Sequence, residues 1–358
     1  MKSVFLVKTP LQLLNAIEAK HHFKLDKENC ILIIMGDRKN LPQMQALESE
    51  GLEWGTVVYL NEVPLAFGDP LGLGHDSWLD GVWSSKFFSK SIFNVRRLNR
   101  ISQAISEAEY IFIGYARYIY MRHFVNVTAH KKVCLLDDGN ATIQDAYDRR
   151  DGKASYNRKN FKYDVKAKLK KIFQGVDNTE SESLLFFTIY DVVPGLKDEV
   201  VENEFRYIRS KLNSVQETND VYFLGGPLPG ANIISEDSYI DHLKRVKNYF
   251  SGSKIIYVAH RRESAAMLKE ISEKLKFEVV LFEYPIEYQL AMLGPRPKIM
   301  ASFVSSALDN CRSIFKDKMR IISFNLDLEG SPARTEFEKI YKNYEQNVSE
   351  HFFIEKEY

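Results

Sequence analysis

The chain has 358 residues, with 45% apolar and 27% charged side chains; this is an ordinary globular balance over more length than one domain usually takes. Its 49 basic and 48 acidic residues cancel to a net charge of +1, so no global field draws nucleic acid, and polyanion binding needs a local patch. The three cysteines, Cys30, Cys134 and Cys311, stand far apart and in no metal-ligand spacing, which points to free thiols in a reducing compartment and away from structural zinc.

In chain order, the opening MKSVFLVKTPLQ has an apolar run of four residues before a lysine, too short for the core of a signal peptide. No run elsewhere approaches the ~20 apolar residues of a membrane span. The expectation is a cytoplasmic protein. Short β-rich runs at 4–7, 31–35, 57–60, 110–114 and 133–136 alternate with amphipathic stretches at 11–23 and 94–108. The first series fades after 186–188, and a polar, helical stretch at 197–215 leads into a second. That series has runs at 221–225, 255–260, 279–282, 299–303 and 321–324, with helical patterns at 235–250, 263–275 and 334–348. Most runs are continuously apolar rather than alternating, the mark of strands buried on both faces of a parallel sheet.

Strand–helix alternation run twice predicts an α/β protein of GT-B architecture, two Rossmann-like doubly wound domains facing across a cleft. The expected domains are 1–205, on the acceptor side, and 206–358, on the nucleotide-sugar side, with the last helix able to pack back on the first domain. Two stretches break the rhythm. Residues 61–90 carry Trp78 and Trp83 without periodicity and read as a long lid, binding loop or disordered segment. Residues 149–171 hold ten basic side chains against Asp151 and Asp164. They read as a solvated helix face, as a track for an acidic acceptor, or as an electrostatic foot on anionic lipid, worth up to ~1 kcal/mol per basic side chain.

Three strand ends carry polar motifs. The strand at 133–136 runs into Asp137-Asp138-Gly139-Asn140 and then a helical pattern. Ligands of open α/β sheets bind beyond the carboxyl ends of strands, and a carboxylate there can take a proton from a hydroxyl. The same residues also read as an acidic turn with an Asn cap. The strand at 255–258 leads into Ala259-His260-Arg261-Arg262-Glu263, where a histidine can protonate or hydrogen-bond a departing phosphate, or be structural. At 301–308, Ser305 and Ser306 open a helix, either as an anion site or as simple caps. Glu287 stands near a helix start, where it can hold a ribose diol or merely suit a first turn.

Taken together and in this order, the acidic-acidic-Gly, the strand-end His, the Glu and the Ser-Ser resemble the motif set of bacterial sialyltransferases. Thr9-Pro10-Leu11-Gln12 after the first strand, and Phe223-Leu224-Gly225-Gly226-Pro227-Leu228 before Ile233-Ile234-Ser235, add to the likeness. The sequence resembles the lipooligosaccharide sialyltransferases of glycosyltransferase family 52 and, more distantly, the bacterial polysialyltransferases. The resemblance implies that Asp138 is the general base, with Asp137 its neighbour in the motif. It implies that His260 assists departure of CMP, that Glu287 holds the ribose, and that Ser305 and Ser306 bind the phosphate. Gly226, Pro227 and Arg261 fall on the donor side, and Thr9, Gln12 and Asn140 on the acceptor side. Arg261 stands where that family usually has a proline after the histidine.

The expected activity is an inverting, metal-independent transfer of a nonulosonic acid, sialic acid or a relative, from a CMP-activated donor to a hydroxyl of lipooligosaccharide or capsule, with no cofactor. Expected partners are the nucleotide sugar, a glycan or glycolipid acceptor and the anionic inner face of the cell membrane, with no nucleic acid. A glucosyltransferase or other transferase of the same fold, using another nucleotide sugar, is the near alternative. A non-catalytic protein that binds a nucleotide sugar or glycan is the alternative of another class.

Overall fold

The computed structural model describes residues 1–36, 39–50, 54–60, 85–152, 175–212 and 215–358. The chain forms two compact units, Met1–Asn203 and Glu204–Tyr358, against the expected 1–205 and 206–358.

The first unit runs β1 (Lys2–Val7), α1 (Pro10–His22), β2 (Cys30–Ile34), α2 (Leu41–Ser49), β3 (Thr56–Tyr59), α3 (Ser85–Ala104), β4 (Ala108–Ile113), α4 (Ile119–Val127), β5 (His130–Leu136), α5 (Asn140–Arg150), β6 (Leu185–Thr188) and β7 (Glu199–Glu202). Its strands are all parallel, in the order β3-β2-β1-β4-β5-β6-β7. The second unit runs α6 (Arg206–Arg209), β8 (Glu217–Leu224), α7 (Glu236–Tyr249), β9 (Ile255–Val258), α8 (Ala265–Leu275), β10 (Glu278–Val280), α9 (Ile286–Tyr288), β11 (Arg296–Ser302), α10 (Ser306–Phe315), β12 (Arg320–Phe324), α11 (Arg334–Gln346) and β13 (Phe352–Glu355). Its parallel order is β10-β9-β8-β11-β12-β13.

Each sheet grows outward from its first strand, then reverses and grows the other way. The reversals lie between β1 and β4 and between β8 and β11. At such switch points the loops beyond the strand ends part and leave room for a ligand. The central strands are apolar on both faces because helices cover both: Val4, Phe5, Leu6 and Val7 of β1 are fully buried, and Phe5 stacks on Phe112 of β4 with ring centroids 4.2 Å apart. The three cysteines are free and buried in these cores.

Several sequence expectations are corrected. The stretch 197–215, expected as a helix, contains β7 and only the short α6. Val200 and Val201 are β-branched and pair with Phe186 and Phe187 of β6, so ladder bonds outweigh the polar composition of this edge strand. The expected loop 61–90 overlaps α3, which begins at Ser85; the rest of it, Trp78 and Trp83 included, lies outside the described residues. In the basic stretch, Arg149 is a structural clamp: its guanidinium pairs with the buried Asp198 at 2.7 Å and bonds the carbonyls of Ser181 and Glu182. The lysines from 153 onward lie outside the described residues.

Helix α11 turns Phe337, Tyr341 and Tyr344 onto the second unit's own core, where the Tyr341 hydroxyl donates to the Phe324 carbonyl at 3.2 Å. Among the described residues, no helix is long and apolar enough to cross a membrane.

Candidate active site

At the first switch point, β1 turns at once into α1. Thr9 caps that helix, its Oγ1 accepting from the Gln12 N–H at 3.3 Å, and Pro10 occupies the first turn, where a missing N–H costs nothing. Beside it, β5 ends in the two aspartates, and successive residues there point to different sides. Asp137 is 1% exposed and turns inward. Its Oδ2 accepts from the Ile189 N–H at 2.8 Å, and its carbonyl accepts from Asn15 at 3.1 Å. Burial pushes the Asp137 carboxyl up to about 7, against hydrogen bonds from Thr188, Ile189 and Thr142 that favour the charged form. The geometry makes Asp137 a brace between β5 and β6.

Asp138 keeps part of its surface exposed. Burial pushes its carboxyl up to about 6; a hydrogen bond from Gln12, the Lys8 charge and a bond from Thr9 oppose this, while Asp145 adds to it. Gln12 is 1% exposed, so it touches no solvent and works through Asp138. Its Oε1 accepts from the Lys8 N–H at 2.7 Å, which leaves the amide N–H groups for the carboxylate. Gly114, at the end of β4, makes room for this amide, since a Cβ there would overlap it. The Asp138 N–H donates to Thr142 Oγ1 at 2.9 Å.

Gly139 has φ 63°, in the region glycine favours, and caps α5, so Asn140 is the first residue of that helix and not its cap. Asp145, farther along α5, is buried against Arg117 at 2.6 Å, and Arg117 also reaches Asp148 at 3.1 Å. Sequence reasoning did not single out Gly114, Thr142, Asp145 or Arg117. The 138–142–145 spacing was the available signal, because it puts Thr142 and Asp145 on one helix face under the aspartate.

In the second unit, the candidate residues stand beyond β8, β9, β10 and β11. Gly226 and Pro227 follow β8, and the Gly226 backbone meets the Tyr239 hydroxyl. His260 follows β9. Its Nδ1 accepts from the Arg262 N–H at 3.2 Å, so a neutral ring carries its proton on Nε2. The turn that a proline would stiffen is held here by Glu263, whose Oε2 accepts from the His260 N–H at 2.6 Å. Burial pushes Glu263 up to about 7.

Ser305 caps α10, its Oγ accepting from the Ala307 N–H at 3.2 Å. Tyr344 fixes the Ser305 backbone, accepting its N–H at 3.3 Å and donating to its carbonyl at 2.9 Å. The Ser305 N–H is therefore engaged, and an anion at this terminus would meet the two hydroxyls and the Ser306 N–H. Both serines are partly exposed. Glu287 is 5% exposed and accepts from Asn310 of α10 at 2.8 Å. Burial raises its carboxyl, while Asn310 and the nearby Arg261 charge lower it. The histidine turn, Glu287 and the serine helix thus share one side of this sheet. Among the described residues, no group of three His, Cys, Asp or Glu side chains gathers as a metal site.

No protein-family model matches the sequence, and no curated protein matches it either. The structure is similar to that of a 2,6-sialyltransferase from Photobacterium sp. JT-ISH-224, solved with the donor product CMP and the acceptor lactose. The two share 11% identity at a TM-score of 0.54, over 99% of this chain and 78% of that one. The fold is GT-B.

Looser likenesses run to a UDP-GlcNAc 2-epimerase from Neisseria meningitidis bound to UDP-GlcNAc, with TM-score 0.49, 10% identity, and 99% and 95% of the two chains covered. A UDP-glucosyltransferase from Polygonum tinctorium gives TM-score 0.46 and 12% identity, over 92% and 80% of the two chains. At these identities the likeness is one of fold.

Proposed function

We propose that the protein is an inverting glycosyltransferase that moves a nonulosonic acid, sialic acid or a relative, from a CMP-activated donor to a glycan or glycolipid hydroxyl, without a metal. The observation that carries this reading is Asp138: a partly exposed carboxylate beyond β5, one strand from the first switch point, held by Gln12 and Thr9 from the β1–α1 turn and pushed by burial to about 6. That value leaves it ionised at neutral pH yet basic enough to take a proton. In the reaction, Asp138 removes the acceptor proton as the acceptor oxygen bonds to the anomeric carbon. The bond from that carbon to the phosphate oxygen breaks, and the CMP leaves with its charge met by the Nε2–H of His260 and by Ser305 and Ser306. Glu287 is assigned to the ribose, and a single displacement inverts the anomeric centre.

The order of the motifs supports a place near the family 52 sialyltransferases, and a solved sialyltransferase of the same fold holds CMP and lactose. One phosphate also suits the compact set of two serines, one helix start and one histidine, and the sequence has no G-x-G-x-x-G run for a pyrophosphate. The basic segment at 149–171, Arg149 apart, supports attachment to anionic lipid, which salt would weaken. A melting panel tests the donor. At ~100 times its dissociation constant, CMP stabilises by about 2.7 kcal/mol, and UDP and GDP do much less. A clear shift with UDP and none with CMP moves the protein to the glucosyltransferase reading.

A further inference from the structure

One buried network in the second unit joins the loops after β8 and β9, and of its members the proposed chemistry uses only the His260 ring. Glu263 accepts at both oxygens: from the Tyr257 hydroxyl at Oε1, 2.6 Å, and from the His260 N–H at Oε2, 2.6 Å. Its own N–H donates to the His260 carbonyl at 2.9 Å, so the turn from His260 to Glu263 is stapled from both sides. The Tyr257 hydroxyl meets that of Tyr239 at 2.9 Å, and Tyr239 in turn meets the Gly226 backbone N–H. Both tyrosines are fully buried. A Cβ on Gly225 would overlap the Tyr257 hydroxyl and stand 2.6 Å from Glu263 Oε2, so the glycine loop packs directly on this junction.

The direction of the chain follows from its ends. A backbone N–H only donates, so Gly226 gives to Tyr239, Tyr239 to Tyr257, and Tyr257 to the carboxylate. His260 gives to the other oxygen of the same carboxylate. Two donors therefore converge on Glu263, and only an acceptor at both oxygens satisfies them. Burial pushes this carboxyl up to about 7, and the bonds from Tyr257 and His260 favour its ionised form; in that form they are roughly twice as strong as neutral bonds, which suits a group that must hold a turn rigid.

We infer that Glu263 is a positioning residue that sets the His260 turn, and with it the Nε2–H donor, against the Gly225-Gly226 loop. This rests on the reading of His260 as the group that meets the departing phosphate. Glutamine would not replace it. The amide keeps one acceptor, and its N–H₂ opposes either the Tyr257 hydroxyl or the His260 N–H, donor against donor.

The test uses the full chain as wild type, Glu263→Gln, Tyr257→Phe, His260→Ala and the Glu263→Gln/His260→Ala double variant. With labelled histidine, the His260 ring resonance is assigned by its loss in His260→Ala. It shifts in Glu263→Gln and shifts less in Tyr257→Phe, where the His260 N–H still has its acceptor. In CMP release from a CMP sugar, Glu263→Gln lowers kcat roughly 10- to 100-fold, the scale of a catalytic group misplaced by about 1 Å, with KM for the donor changed far less. On the His260→Ala background the same change adds less than about twofold, because it acts through the missing ring. An unmoved His260 resonance in both single variants, or losses that multiply in the double variant, overturns the inference. A wild type that releases no CMP, with a His260 resonance that still shifts in Glu263→Gln, refutes the transferase reading and upholds the positioning.

Discussion

Replacing Gln12 with methionine keeps a side chain of similar length under Gly114 and removes the amide that holds Asp138. Hydrogen bonds to a charged group contribute about 1.5–3 kcal/mol, and 1.36 kcal/mol corresponds to one pKa unit, so the Asp138 carboxyl rises by about one to two units. The direction is fixed, because burial raises this carboxyl and the Gln12 bond lowers it, with about 6 the net result. The reactive form is the ionised one. In wild type, kcat/KM therefore climbs with pH up to about 6 and then levels, whereas in Gln12→Met the climb continues to roughly 7 or 8. The assay is the pH profile of transfer, with CMP binding measured alongside to show that the second unit is undisturbed. The methionine also leaves the Lys8 N–H without its acceptor, a loss of about 1–3 kcal/mol, so melting falls by several degrees. An acidic limb that stays in place, or moves to lower pH, refutes the assignment of Asp138 as the base held by Gln12.

The paired aspartates separate cleanly: Asp138→Asn lowers transfer by about 10²–10⁴-fold with CMP affinity kept, while Asp137→Asn retains most of the rate. Rates of similar size in the two variants would remove the distinction. Burial raises the Asp137 carboxyl from 3.8 to about 7, so folding favours its protonated form; its contribution is present in acid and is lost as pH climbs through about 7. Asp137→Asn flattens that decline in a melting-versus-pH series. Gly114→Ala drives a methyl group into the Gln12 amide and moves the pH profile in the same direction as Gln12→Met, which kinetics at pH 6 to 8 will read. Ser305→Ala with Ser306→Ala removes the helix cap, a loss of roughly 0.5–2 kcal/mol, and abolishes most of the melting shift given by CMP.

The fold was legible because most of its strands are continuous apolar runs and several of its helices follow a Ser or Thr cap, as at Thr9, Ser235, Ser264 and Ser305. Those signals are local, and so are the strand-end motifs. What escaped was set by distant contacts. Val200 and Val201 read as part of a polar helical stretch until β6 supplied a partner ladder. The two neighbouring aspartates are indistinguishable as letters, and only the packing of β6 and α1 shows that one braces the sheet and the other faces the site. Gly114 and Gln12 lie far apart in sequence, and their fit appears only once β4 and β1 are paired. Glu263 was visible as a residue of the histidine motif, but its partners Tyr257 and Tyr239 come from a strand and a helix whose apolar pattern hid their hydroxyls.

Acceptor-dependent transfer from CMP-N-acetylneuraminic acid bears most directly on the central claim. Purified protein, the donor and a panel of galactose-terminated glycans are incubated without added metal and with a chelator present, and free CMP and the sialylated product are both quantified. The account predicts slow CMP release alone, a much faster release with a competent acceptor, product of inverted anomeric configuration, and loss of that acceleration in Asp138→Asn. No turnover of any CMP-nonulosonic acid, together with transfer from UDP-glucose under the same conditions, would contradict it.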